Sequence, residues 1–92
     1  MFVNNFLKEV KEIVDNIDTE SISNVIKVVK DVKNSNGRIF FAGSGGGAGH
    51  SSHAVCDFRK LLLIESYSLT DNVSELTART NDDSFENSYR DT

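Results

Sequence analysis

The feature that most constrains this chain is a glycine run set directly behind a short apolar segment, Arg38-Ile39-Phe40-Phe41-Ala42 followed by Gly43-Ser44-Gly45-Gly46-Gly47-Ala48-Gly49. β-Branched and aromatic residues bounded by glycine read as a strand, and a strand apolar on both faces belongs inside a sheet. Glycine permits positive φ and close backbone approach, so a tight turn is expected next. A helix starting from that turn presents unpaired N–H groups and the positive end of its dipole, which favours phosphate or another small anion. A merely mobile loop is the other use of such glycines.

The surroundings are those of an α/β chain. Upstream, Val3, Phe6, Leu7, Val10, Ile13, Val14 and Ile17 recur at helical spacing, with Lys8, Glu9, Lys11, Glu12 and Asp15 mainly on the opposite side. After the cap-type residues Asp18-Thr19-Glu20, Ile22, Val25, Ile26, Val29 and Val32 repeat the pattern until Asn34-Ser35-Asn36-Gly37 ends it. Burial of these stripes is expected to override the lower helix propensity of Val and Ile. Downstream, a helix is expected from about Ala48 to about Ile64, with Ala54, Phe58, Leu61 and Leu62 facing the core. Ser66-Tyr67-Ser68-Leu69 reads as a second strand. Asp71 or Asn72 caps a helix through about Arg79, and Asp83 or Ser84 starts another.

Two strands cannot pair both edges and cover both faces of a buried parallel sheet, and each unpaired buried backbone group costs on the order of 1 to 3 kcal/mol. Residues 1–92 are therefore expected to be the first part of a longer α/β domain, or to be completed by another chain. Residues 1–36 supply the leading helices; residues 37–92 supply the first strand, the glycine loop with its helix, the second strand and the helices after it.

Composition narrows the partners. The longest apolar run, Leu61-Leu62-Leu63-Ile64, is far short of the roughly 20 residues of a spanning helix, so no membrane partner is expected. A net charge of −4 argues against nonspecific attraction to nucleic acid. The start Met1-Phe2-Val3-Asn4-Asn5 has no basic flank or small-residue cleavage site, and the expected location is cytoplasmic. The single Cys56 cannot form an internal disulfide framework or a cysteine-only zinc site, and reads as a small buried hydrophobe.

His50, His53 and Asp57 stand three and four residues apart, so on a helix they share a face close to the glycine loop. A histidine with a carboxylate four residues on is half of a zinc site, which needs three or four ligands in all. An isomerase that moves a proton between adjacent carbons also needs a carboxylate base and a group that stabilises the enediolate, and Asp57 suits the first role. A solvated or arginine-paired carboxylate is the plainer reading of Asp57, and a helix-face histidine bonded to backbone or to Asp57 that of His53.

Three phosphate-binding patterns compete for the loop. A Walker A loop fails, because five residues separate Gly43 from Gly49 and His50 stands where lysine belongs. A dinucleotide fingerprint is literally present at Gly43, Gly45 and Ala48, but hydroxyl residues end the second strand where a ribose-binding acid is expected, with Asp71 a late candidate. The third is the sugar isomerase (SIS) domain. The run from Gly37 through Gly47 and on through His53-Ala54-Val55-Cys56-Asp57-Phe58 resembles the first half of a phosphoheptose isomerase. Ser74-Glu75-Leu76-Thr77-Ala78-Arg79-Thr80-Asn81-Asp82 is similar to that family's Asn-Asp stretch after the second strand.

The resemblance implies the N-terminal part of a Rossmann-like three-layer αβα SIS domain with two leading helices. It implies aldose–ketose isomerisation of sedoheptulose 7-phosphate, the entry to the heptoses of bacterial surface polysaccharides, in a homo-oligomer, a tetramer in the family's pattern. By position, Ser44, Gly45, Gly46 and Gly47 match the loop that contacts substrate, and Asn81 and Asp82 match a pair that contacts the sugar. His53 matches a histidine that ligates zinc in some members, one zinc per subunit, and Asp57 a carboxylate that serves as base and metal ligand. Two positions depart: Gly47 replaces a phosphate-holding serine, and Asp57 replaces glutamate. A noncatalytic SIS module that binds sugar phosphates or other proteins is the alternative, and a nucleotide-binding Rossmann domain the third reading.

Overall fold

Two helices lead the chain in the computed structural model, which describes residues 1–91. Helix α1 (Phe2–Asp15) starts without a side-chain cap and closes with Asn16 Nδ2 donating to the Glu12 carbonyl at 2.7 Å. Helix α2 (Thr19–Asn34) starts at Asp18, whose carboxylate accepts the N–H groups of Glu20 and Ser21 and the Ser21 hydroxyl at 2.6 Å. It ends as the Asn34–Gly37 cluster suggests, but Asn36 rather than Gly37 takes the left-handed turn, with φ 54°. Gly37 N–H then reaches back to the Val32 carbonyl at 2.8 Å and Asn36 N–H to that of Lys33, a Schellman closure.

The cap sets a pH dependence. The Ser21 hydroxyl first, and then the Ser21 and Glu20 amides, hold the Asp18 carboxyl below its ordinary value. A depressed folded pKa adds stability above the unfolded value of about 3.9 and loses it as pH falls through the folded one. Helicity of the wild-type chain should therefore drop further on acidification below about pH 4 than that of Asp18→Asn, which keeps a neutral cap. Equal acid losses by circular dichroism would contradict the assignment.

Strands β1 (Arg38–Phe41) and β2 (Glu65–Ser68) pair in parallel, Arg38 opposite Glu65 and Phe41 opposite Ser68, with helix α3 (Gly46–Lys60) crossing between them. The α3 side of the sheet carries Ile39 and Phe41 beside Ser66 and Ser68, and Phe41 meets Phe58 of α3 edge-on at 5.1 Å. Val55 and Ile64 are the buried apolar residues among those described; on α3 Ser51 and Val55 are buried, the expected Ala54 and Phe58 are half-buried, and the expected Leu61 and Leu62, just past the helix, are exposed. Ser51 tolerates burial because its hydroxyl donates to the Gly47 carbonyl at 2.9 Å, as that of Ser66 does to Ile64 at 3.0 Å.

Helix α3 starts two residues before the expected Ala48 and ends four before Ile64. Its first turn is made from the glycines, with Gly49 N–H bonded to Gly45 O. Its end is set by Leu63, left-handed at φ 57°, and by Ile64 N–H bonding back to Phe58 O, which leaves Leu61 and Leu63 exposed. A left-handed leucine costs roughly 1 to 2 kcal/mol. Arg59 ties α3 to β2: its Nε donates to Ser66 O at 2.7 Å and its guanidinium lies over the Tyr67 ring. Asn72 caps helix α4 (Val73–Asp82) through the Glu75 N–H, and Ser84 caps helix α5 (Phe85–Asp91) through that of Asn87.

Much of the expected burial is not met inside one chain. No residue of α1 or α2 is buried, and Phe40, stacked on Tyr67 on the sheet face away from α3, is 58% exposed. The radius of gyration is 17.5 Å, against about 12 Å for a compact chain of this length. The accessible surface is 7328 Å², about 2,000 Å² more than a compact chain of this mass exposes, an excess in the range of large permanent interfaces. The purified chain is therefore expected to self-associate, with light scattering giving a dimer or larger; a monodisperse monomer that melts cooperatively would contradict this. No helix among the described residues is long and apolar enough to cross a membrane.

Candidate functional site

Parallel strands joined by a helix leave their C-terminal ends on one edge, and in open α/β sheets that edge is where ligands bind. Here it collects the loop after β1, the start of α3 and the loop after β2, with Leu69 N–H bonded to Phe41 O at 3.2 Å.

The glycines have distinct reasons to be there. A Cβ on Gly43 would sit 2.2 Å from the Gly47 carbonyl oxygen and 2.8 Å from the Ala48 nitrogen, so only glycine lets the strand end pack against the first turn of α3. Gly45 is the N-cap at φ 56°, with open space around it. Cβ atoms on Gly46 and Gly47 would also meet nothing, so this end of the helix is bare backbone.

That backbone is available. Gly45 supplies no side-chain cap, unlike Asp18, Asn72 and Ser84 at α2, α4 and α5. Gly47 N–H is used by Ser44 O at 2.9 Å, whereas none of the hydrogen bonds among the described residues uses the N–H of Ser44, Gly45 or Gly46. Three adjacent open donors at a helix N-terminus form an anion-binding concavity. Gly47, where the resemblance expects serine, adds no hydroxyl.

Around the loop are three ties. Ser51 holds Gly47 O from below. Ser52 donates a short hydrogen bond to Asp71 Oδ1, joining α3 to the loop after β2. Asp71, the late candidate for a ribose-binding acid, is thus engaged within the protein. Tyr89 of α5 donates from its hydroxyl to Gly43 O at 3.0 Å, across 46 residues of sequence. The Ser52 and Tyr89 ties have no local signal: both residues read as ordinary helix positions until the fold brings them to this edge. The buried Ser68 hydroxyl, at the end of β2 on the α3 side, has no hydrogen-bond partner among the described residues.

His53 Nε2 lies 3.5 Å from Asp57 Oδ2, one turn apart on α3, so the expected shared face is present. Both side chains are open to solvent, 77% and 50% exposed. They offer two of the three or four donors that zinc requires, and no group of three His, Cys, Asp or Glu suited to a metal occurs among the described residues. The residues present therefore do not complete a zinc site.

Asn81 and Asp82 are on α4, after the second strand. They form the last turn of α4, about 15 Å along the helix from its cap, where Asn81 Nδ2 donates to Asp82 Oδ1 at 3.2 Å and both face solvent. Helix α5 reaches the loop through Tyr89. A groove of about 390 Å³ lies on the other face of the sheet, lined by Arg38, Phe40, Tyr67 and the start of α4, apart from the glycine loop.

No protein-family model, no curated protein and no solved structure matches this chain.

Proposed function

We propose that this chain is the phosphate-holding part of a SIS-type, three-layer α/β phosphosugar isomerase, acting on sedoheptulose 7-phosphate or a closely similar sugar phosphate in the cytoplasm as a homo-oligomer. One observation carries the reading: three adjacent loop amides, Ser44 to Gly46, without acceptors at an uncapped helix start on the C-terminal edge of a parallel sheet. Phosphate answers that geometry, since its oxygens accept several N–H bonds at once and its charge suits the dipole.

In this reading the loop anchors the phosphate and Asp57 of α3 is the base. The Asp57 carboxylate takes the proton from the carbon beside the carbonyl and returns it to the former carbonyl carbon, and His53, one turn away on α3, is the group proposed to steady the oxygens that carry charge in the enediolate. Asn81 and Asp82, at the end of α4, are the proposed sugar contacts. Zinc would need one or two donors beyond His53 and Asp57, and no step of this chemistry runs through it.

A noncatalytic sugar-phosphate-binding module is the second reading, favoured by the solvent exposure of His53 and Asp57, since a base open to water loses much of its leverage. Calorimetric titration with sedoheptulose 7-phosphate, with unphosphorylated sedoheptulose and with NAD tests the shared part. Binding of the phosphorylated sugar alone is expected. Preference for NAD would replace this reading with a dinucleotide site, and binding of neither ligand would remove the loop's role.

A further inference from the structure

We propose that Tyr89 is a positioning residue for the glycine loop, its hydroxyl fixing the Gly43 carbonyl so that the Ser44 amide faces an incoming phosphate. The inference rests on the phosphate reading above and adds the group that sets the loop's geometry.

In a trans peptide the C=O of one residue and the N–H of the next point in opposite directions. With Gly43 O held toward α5 by the Tyr89 hydroxyl at 3.0 Å, the Ser44 N–H must point away from α5, and it has no acceptor among the described residues. Glycine flanks this peptide at Gly43, where a Cβ would strike the Gly47 carbonyl, so no side chain at that position restrains its rotation. The restraint comes from outside the loop, from a half-buried tyrosine whose ring packs edge-on against Phe85 at 5.9 Å. Without the hydroxyl the peptide can turn over, presenting a carbonyl oxygen to the phosphate in place of an N–H. Helix α5 touches α4, so the position of that helix pair becomes coupled to the anion site.

Tyr89→Phe tests this, because it removes the hydroxyl and keeps the ring contact. The full chain has only six glycines, so selective ¹³C,¹⁵N-glycine labelling resolves the loop. In the ligand-free protein the Gly43 carbonyl signal should shift in Tyr89→Phe, and the Kd for inorganic phosphate should rise about three- to tenfold, the effect of one lost hydrogen bond. The melting temperature should stay near that of wild type. A merely structural tyrosine would lower the melting temperature while leaving the phosphate Kd unchanged, and that result, or an unmoved Gly43 signal, overturns the proposal. If the wild-type chain takes up no phosphate, the phosphate reading fails and this inference with it; phosphate binding equal in wild type and Tyr89→Phe removes the inference alone.

Discussion

Replacing Gly43 by Ala is expected to abolish measurable phosphosugar binding and to destabilise the chain by about 2 to 4 kcal/mol, within the range for overpacking against immovable neighbours. The added methyl would lie 2.2 Å from the Gly47 carbonyl oxygen and 2.3 Å from its carbon, both backbone atoms of the first turn of α3. Neither can rotate aside as a side-chain tip would, so the strand end or the helix start must move, and the Ser44 to Gly46 amides move with it. Gly45→Ala is the informative contrast. Space around Gly45 is open, so the penalty there is backbone strain without a clash, about 1 to 3 kcal/mol, because alanine rarely adopts φ 56° with ψ −118°. Chemical denaturation and phosphosugar titration of the two variants check the order. A Gly43→Ala protein that binds as wild type does would mean that the close approach at Gly43 has no part in the site.

Asp57→Asn is expected to leave phosphosugar binding intact and to lower kcat by about 10² or more in the catalytically competent assembly, the usual contribution of a general base. Its effect on folding should be under about 1 kcal/mol, because the pair with His53 is solvent-exposed at 3.5 Å. Asp57→Glu should preserve or raise turnover by lengthening the side chain by one methylene toward a substrate that must come within roughly 2.6 to 3.2 Å of the base. Retention of at least half the wild-type kcat by the Asn variant would show that Asp57 is not the base and would favour the binding module.

The local grammar of the chain is legible without its fold. Cap residues, helical periodicity and the glycine-bounded strand are short-range signals, and Asp18, Asn72, Ser84 and β1 act as their positions suggest. The placement of the glycine loop at the sheet edge follows from the strand-loop-helix order. The core face of α3 departs in part from expectation because hydrophobicity is a poor marker of burial here, where Ser51, Ser66 and Ser68 are buried beside Val55 and Ile64 while Leu61 and Leu62 are exposed. Helix α3 is shorter than its periodicity predicts because Leu63 adopts a left-handed conformation that its side chain does not advertise. The apolar stripes of α1 and α2 do form helix faces, but no residue of either helix is buried. Tyr89 and Ser52 illustrate the remaining gap: contacts across 46 and 19 residues have no periodic or compositional trace.

The central claim is that the Ser44 to Gly46 amides hold a sugar phosphate, and a ¹⁵N-glycine titration with sedoheptulose 7-phosphate tests it directly. Gly45, Gly46 and Gly47 lie at the proposed site, while Gly37 stands at the opposite end of β1 and serves as an internal reference. Saturable shifts of the three loop signals with Gly37 unmoved are predicted, and unphosphorylated sedoheptulose should produce none. Loop signals that stay fixed at saturating phosphosugar, or that move only together with Gly37, would contradict the account.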